Sequence, residues 1–187
     1  MEPNSLDAVV SSVRDKDPVV LVHYLTGGYA KRAGDLQVVP DKVAKSSDMS
    51  HRFRMELEGN HEGNNLYSFE NLKQIDDKGR LEEKRFMSAN PRDISDGIIW
   101  EKKEALTKGS DEAKAQAWYV IPQDCGGYAL LNYLDPTYLL GMINKTPNLA
   151  ACGRPNESVF GVTPLIGIWV IVKPRDKECI HQHTPEV

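Results

Sequence analysis

The chain repeats itself, and that repetition limits its possible folds more than any single motif does. Val20 to Tyr29 lies residue for residue over Ala129 to Tyr138, with Leu, Tyr-Leu and Tyr retained, and Tyr67 to Leu72 is a weaker copy against Tyr128 to Tyr133. A strand opening on an aromatic residue precedes two of the copies: Phe53 to Leu57 before one, Trp118 to Ile121 before the other. A last such strand, Trp169 to Pro174, has no copy after it and must wrap round to the first. Units of roughly 50–60 residues that repeat in this way bury their apolar faces against one another rather than alone. The expected fold is all-β, a closed barrel of three-fold pseudo-symmetry with a hairpin cap.

The local pattern fills in this outline. Strands are expected at Val19 to Tyr24, Tyr29 to Arg32 and Leu36 to Val39, with a turn at Gly27-Gly28 and a stop at Pro40. The corresponding third strand is expected at Gly97 to Trp100 in the second unit and at Ser158 to Val162 in the last. Phe53, Trp118 and Trp169 recur once per unit as core residues; period-two alternation turns Met55, Val120 and Ile171 to the same side, with Leu21, Phe69 and Leu130 as partners. Glu101 to Ala115 is a charged insertion rich in helix formers and interrupted by Gly109, expected as a solvated, partly helical loop. Residues 1–17 read as a polar arm and 176–187 as a tail. One domain, 18–175, lies between them, with units at about 18–65, 66–127 and 128–175.

Composition narrows the function classes. A chain of 187 residues with 40% hydrophobic and 27% charged residues suits one globular domain. Its net charge of −4 supplies no basic face, so nucleic acid is not an expected partner. No run reaches the roughly 18 apolar residues of a spanning helix, so membrane insertion is not expected either. The start of the chain has no basic, apolar leader pattern. A cytoplasmic location with reduced thiols is expected, with release by a non-classical route as the alternative. The three cysteines, Cys125, Cys152 and Cys179, cannot all pair within the chain.

Asn144-Lys145-Thr146 and Asn156-Glu157-Ser158 match the glycosylation acceptor pattern and are read as chance occurrences. Cys179, His181 and His183 are metal-ligating types but lack a nearby fourth ligand, so no metal and no cofactor is expected. No nucleophile elbow, zinc helix, phosphate loop or dinucleotide fingerprint occurs, and the protein is expected not to be an enzyme.

Gln116-Ala117-Trp118 is a Gln-x-Trp tripeptide, and Tyr128 to Tyr138 follows it as a hairpin. In this the chain resembles the β-trefoil lectins of the ricin B-like type. Trp-x-Val/Ile-x-Pro followed by Tyr-x-Leu-x-Asn is also similar to the mycocypins, the fungal β-trefoil protease inhibitors. The resemblance implies a β-trefoil across residues 18–175, with long loops and the charged insertion in the second unit.

It also implies where a sugar would sit. Trp100 stands where an aromatic platform is expected and Gln116 where the last amide is; Asn90, Arg92, Asp93 and Asp96 in the preceding loop offer hydrogen bonds. Ile98 replaces the strand Gln and Ala115 the Asn, so the site is degenerate. The carbohydrate-binding set expected is Trp100, Gln116, Asn90, Asp93 and Asp96, with Trp100 equally able to serve as a lid on the barrel.

Two functions follow, because fold alone does not select between them. One is a lectin whose partner is a glycan or glycoprotein. The other is an inhibitor whose partner is a protease, acting through a loop at 42–50, 58–65, 88–97 or 148–157. A scaffold with neither activity is the third.

Overall fold

The computed structural model describes residues 13–40, 49–73, 75–76, 78–143, 148–154 and 164–174. The N-terminal arm up to residue 12, both acceptor tripeptides and the Cys179 to His183 cluster lie outside them. Twelve strands form among the described residues, four to a unit. The first unit holds β1 (Pro18–His23), β2 (Tyr29–Arg32), β3 (Leu36–Val39) and β4 (Phe53–His61). The second holds β5 (Asn64–Asn71), β6 (Arg85–Ala89), β7 (Ile98–Glu101) and β8 (Trp118–Pro122). The third holds β9 (Tyr128–Asn132), β10 (Leu139–Ile143), β11 (Leu149–Gly153) and β12 (Ile168–Val172).

Six of these strands close a ring. β1 pairs with β4, β4 with β5, β5 with β8, β8 with β9, β9 with β12 and β12 with β1, every pair antiparallel. Closure leaves the ring without an open edge, which a flat sheet of this length would expose. The other six strands form three hairpins, β2–β3, β6–β7 and β10–β11, hung on β1, β5 and β9. This is the β-trefoil.

The core follows the repeat. Phe53, Trp118 and Trp169 are fully buried, Leu21, Phe69 and Leu130 sit against them, and Met55, Val120 and Ile171 complete the cluster. Trp118 Nε1 donates to the carbonyl of Met87 at 3.1 Å, and Trp169 Nε1 to that of Leu140 at 2.9 Å. Phe53 has no such donor; Trp100 stacks on it from the second unit, with ring centres 6.2 Å apart. At the Gly27-Gly28 turn Gly27 takes φ +71°, and a Cβ on Gly28 would come within 2.8 Å of Val38 Cγ1. Both positions therefore need glycine, one for its backbone and one for its missing side chain.

A buried polar side chain recurs at the end of the first strand of each unit. Asn71 donates to the carbonyl of Ser50 at 2.8 Å and accepts the Lys73 amide at 3.1 Å; Asn132 donates to Ala115 at 2.9 Å and accepts Leu134 at 3.1 Å. In the first unit His23 takes this place, bonded to the Ile166 carbonyl at 2.8 Å and the Thr26 hydroxyl at 2.9 Å. The carbonyl acceptor lies three residues before Phe53, Trp118 or Trp169 in every case. These three residues pin the joints between units, because each ties a first strand to the segment leading into the strand it pairs with.

Two expectations need correction. The third strand of the last unit is β11, which pairs along its length with β10; Ser158 to Val162, expected in that place, lies outside the described residues. Its sequence, Leu-Ala-Ala-Cys-Gly, has little β-propensity, whereas Val159 and Phe160 have much. Small buried residues suit β11 because β3 and β10 close in on either side of it. The expected loop at 58–65 is the end of a hairpin: β4 and β5 pair as far as His61 and Asn64 around a two-residue turn, with a one-residue register shift between Leu57 and Gly59. Glu62 (φ 53°) and Gly63 (φ 84°) both have positive φ, as a tight primed hairpin turn requires.

Candidate functional site

The hairpin of the second unit has two faces, and its register decides which side chains share one. Met87 lies opposite Trp100 and Ala89 opposite Ile98, and all four pack on the core; Phe86 lies opposite Glu101 and Ser88 opposite Ile99 on the outer side. The insertion folds over that outer side. Its short helix α1 (Asp111–Ala115) is capped by the Ser110 hydroxyl, which accepts from the Ala113 amide, and a 3-10 turn at Leu106–Lys108 ends on Gly109 at φ 64°.

Two clamps hold the insertion down. Gln116, nearly fully buried, donates from Nε2 to the Lys102 carbonyl at 2.7 Å and accepts the Glu104 amide at 3.0 Å. Lys103 lies over the Phe86 ring, bonds the Ser68 hydroxyl at 3.1 Å and pairs with Glu58. Burial pushes the Lys103 ammonium below its ordinary value, opposed by Glu56.

Between hairpin and insertion lies a cleft of about 520 Å³. Ser88 and Ile99 form its floor; Glu101, Lys102, Glu104, Glu112 and Gln116 line the insertion side, and Asn90, Pro91 and Arg92 the opposite rim, with Arg85 at one end. Arg85 and Lys102 both pair with Glu83, and Glu104 with Lys108. The lining thus carries both signs of charge over one apolar patch and contains no aromatic ring.

The expected site residues divide. Asn90 and Gln116 line the cleft, while Trp100, Asp93 and Asp96 do not. Trp100 points to the opposite side of β7, where its Nε1 donates to the Asp35 carbonyl at 3.0 Å and the Arg32 guanidinium lies 5.5 Å from the ring centre. Of the two roles open to it, the structure displays the lid. Asp93 accepts the Ser95 hydroxyl at 2.8 Å and amide at 3.2 Å, and Asp96 takes the Asn90 side chain at 3.3 Å, so these groups order their own loop. Ser88, Ile99 and Glu101 were not singled out from the sequence. Strand parity was the available signal: if Ile98 faces the core, Ile99 and Glu101 cannot.

A second recess, about 490 Å³, lies beneath the loop from Leu72 to Lys84. Asp76 organises that loop, accepting the amides of Lys78 at 2.9 Å and Arg80 at 2.8 Å and pairing with the Arg80 side chain at 2.9 Å. The Arg80 amide bond is foremost among the contacts that hold its carboxyl below the ordinary value. Ile75 and Leu81 bridge across the loop, and Leu81 is 89% exposed.

Among the described residues no group of three His, Cys, Asp or Glu side chains is placed to hold a metal ion. Cys125 and Cys152 are free thiols, and burial pushes that of Cys152 far up. No described helix is long and apolar enough to cross a membrane.

No protein-family model and no curated protein sequence matches this chain. Solved structures do. The cytolethal distending toxin of Haemophilus ducreyi aligns with TM-score 0.59 at 14% identity, over 84% of this chain and 84% of that one. The Rhizoctonia solani agglutinin aligns with TM-score 0.54 at 12% identity, over 84% and 95%. The GlcNAcα1-4Gal releasing endo-β-galactosidase of Clostridium perfringens aligns with TM-score 0.52 at 10% identity; the chain covers 32% of its length. At these identities the likeness is one of fold. It shows a β-trefoil shared with lectin and toxin structures and not a specific match to ricin B-like lectins or mycocypins.

Proposed function

We propose that the protein is a non-catalytic, ricin B-like glycan-binding module that takes its ligand in the cleft of the second unit. The cleft carries this reading: its volume suits a small ligand, and its wall presents carboxylate, guanidinium, amide and hydroxyl groups around the apolar Ile99. Sugars offer such a surface alternating hydroxyls and C–H patches. The site departs from the aromatic-platform arrangement, because Trp100 is turned to the core side and Gln116 is spent on the insertion backbone. The fold is also that of an agglutinin.

A glycan array tests the proposal. The wild type is expected to bind at least one glycan, and Ile99→Arg, which fills the cleft floor with a long cation, to weaken that binding by at least tenfold at unchanged melting temperature. A silent wild type, or equal binding by the variant, overturns it.

The loop from Leu72 to Lys84 favours a second reading, inhibition of a protease. Leu81 stands clear of the surface on a loop braced by Asp76 and the Ile75–Leu81 bridge, and preorganisation of that kind favours binding in a cleft. A panel of serine and cysteine proteases separates the two functions. If this loop is the inhibitory element, the double replacement Arg80→Ala, Leu81→Asp is expected to raise the inhibition constant at least a hundredfold; unchanged inhibition would exclude it.

A further inference from the structure

Three equivalent joints hold the units together, and they are not chemically equal. Asn71 and Asn132 tie the β4–β5 and β8–β9 joints with amides, which have no proton to gain near neutral pH. His23 ties the third, where β1 meets β12 and the first strand of the barrel closes on the last. We infer that His23 makes this closing seam an acid-sensitive latch, released by protonation while the two amide-held joints stay shut.

The ring's hydrogen bonds define its resting form. The Ile166 carbonyl can only accept, so Nε2 carries the proton, and Nδ1 accepts from the Thr26 hydroxyl. That hydroxyl oxygen also accepts the Gly28 amide at 3.3 Å. A proton added to Nδ1 requires only that the Thr26 hydroxyl rotate so that its oxygen accepts from the ring as it does from the Gly28 amide, so opposition to the charge comes from burial and not from this bond. The ring is fully buried, edge-on to Trp169 with centres 5.1 Å apart, so an imidazolium here would have no water.

Among the described residues it would have no counter-ion from its neighbours either. β9, β10, β12, the 164–167 turn and the 24–28 turn contain no Asp, Glu, Lys or Arg. β2 contributes Lys31 and Arg32, which are cations, and β4, with Arg54, Glu56 and Glu58, meets β1 at the opposite end, Pro18 and Val19. Burial accordingly lowers the ring's affinity for a proton below the ordinary value of 6.5, against a smaller opposing effect of the Ile166 carbonyl.

The sign follows from linkage. Above about pH 6.5 both folded and unfolded chains carry a neutral ring and the seam has its full stability. Below it the unfolded chain binds a proton that the folded chain refuses, so stability falls as pH falls. One such group raises the unfolding constant by up to about tenfold per pH unit.

The test compares the full chain with His23→Asn, which restores the residue found at the other two joints. Urea unfolding from pH 7.5 to 5.5 is expected to raise the wild-type unfolding constant, relative to the variant, by up to about tenfold. A constant ratio overturns the inference.

Amide exchange in the wild type gives a readout that does not need the variant to fold. The Tyr24 amide bonds Ile168 across the His23 seam, as Leu72 bonds Arg52 and Tyr133 bonds Ala117 at the others. Between pH 7.5 and 5.5 the protection factor of Tyr24 is expected to drop relative to those of Leu72 and Tyr133. If all three change together, there is no latch at His23.

Discussion

Replacing Trp118 by alanine is expected to cost about 3–5 kcal/mol, seen as a lower urea midpoint at unchanged slope. The side chain is fully buried where β8 enters the core, and its removal leaves both a cavity and an unpaired Met87 carbonyl. Single domains are stable by only about 5–15 kcal/mol, so this one change consumes a large share. Trp118→Phe separates the two contributions, because it keeps most of the ring and removes only the donor. It is expected to cost about 1–3 kcal/mol, the penalty of one orphaned buried carbonyl. The first unit shows that phenylalanine fits such a place, since Phe53 occupies it with Trp100 packed alongside. Equal losses for Ala and Phe would mean that the hydrogen bond, not the ring, dominates.

The second large effect is expected at Asn132. Leucine has nearly its shape but can neither donate to Ala115 nor accept from Leu134, so Asn132→Leu leaves one buried and one half-buried backbone group without these partners. At about 1–3 kcal/mol each, the loss is expected to be about 2–5 kcal/mol, measured by the same unfolding experiment. Ala115 ends the helix that walls the cleft, so the damage should reach the insertion. Faster amide exchange at Ala113 and Gln116 than in wild type would show it; unchanged exchange there with full global destabilisation would confine the role of Asn132 to the joint.

These positions show how far the repeat could be followed by eye. His23, Asn71 and Asn132 align in the three copies, and their shared place was visible as letters. Their shared task was not, because the carbonyls they bind belong to segments 17 to 143 residues away in the chain. The core aromatics were legible for the opposite reason: burial of Phe53, Trp118 and Trp169 follows from alternation within one strand.

The cleft was legible only in part. Gln116 and Asn90 were picked out and do line it, yet Gln116 holds the backbone of the insertion and Trp100 faces away. A one-residue shift in parity exchanges the inside and outside of β7, and aligning Trp100 with an expected platform residue does not establish which way it points. β11 escaped notice because its strand is made by its neighbours: Ala150, Ala151 and Cys152 have small, weakly β-forming side chains that a crowded cap accommodates.

The sequence by itself determined the three-fold barrel, its core aromatics and the need for the last strand to meet the first. It could do so because apolar periodicity and repetition act within a few residues and then recur. Only the tertiary structure decided which face of the second hairpin meets solvent, how the insertion walls a cleft, and that a histidine rather than an amide fastens the closing seam. Those outcomes depend on strand parity and on hydrogen bonds between segments far apart in the chain, which local spacing does not encode.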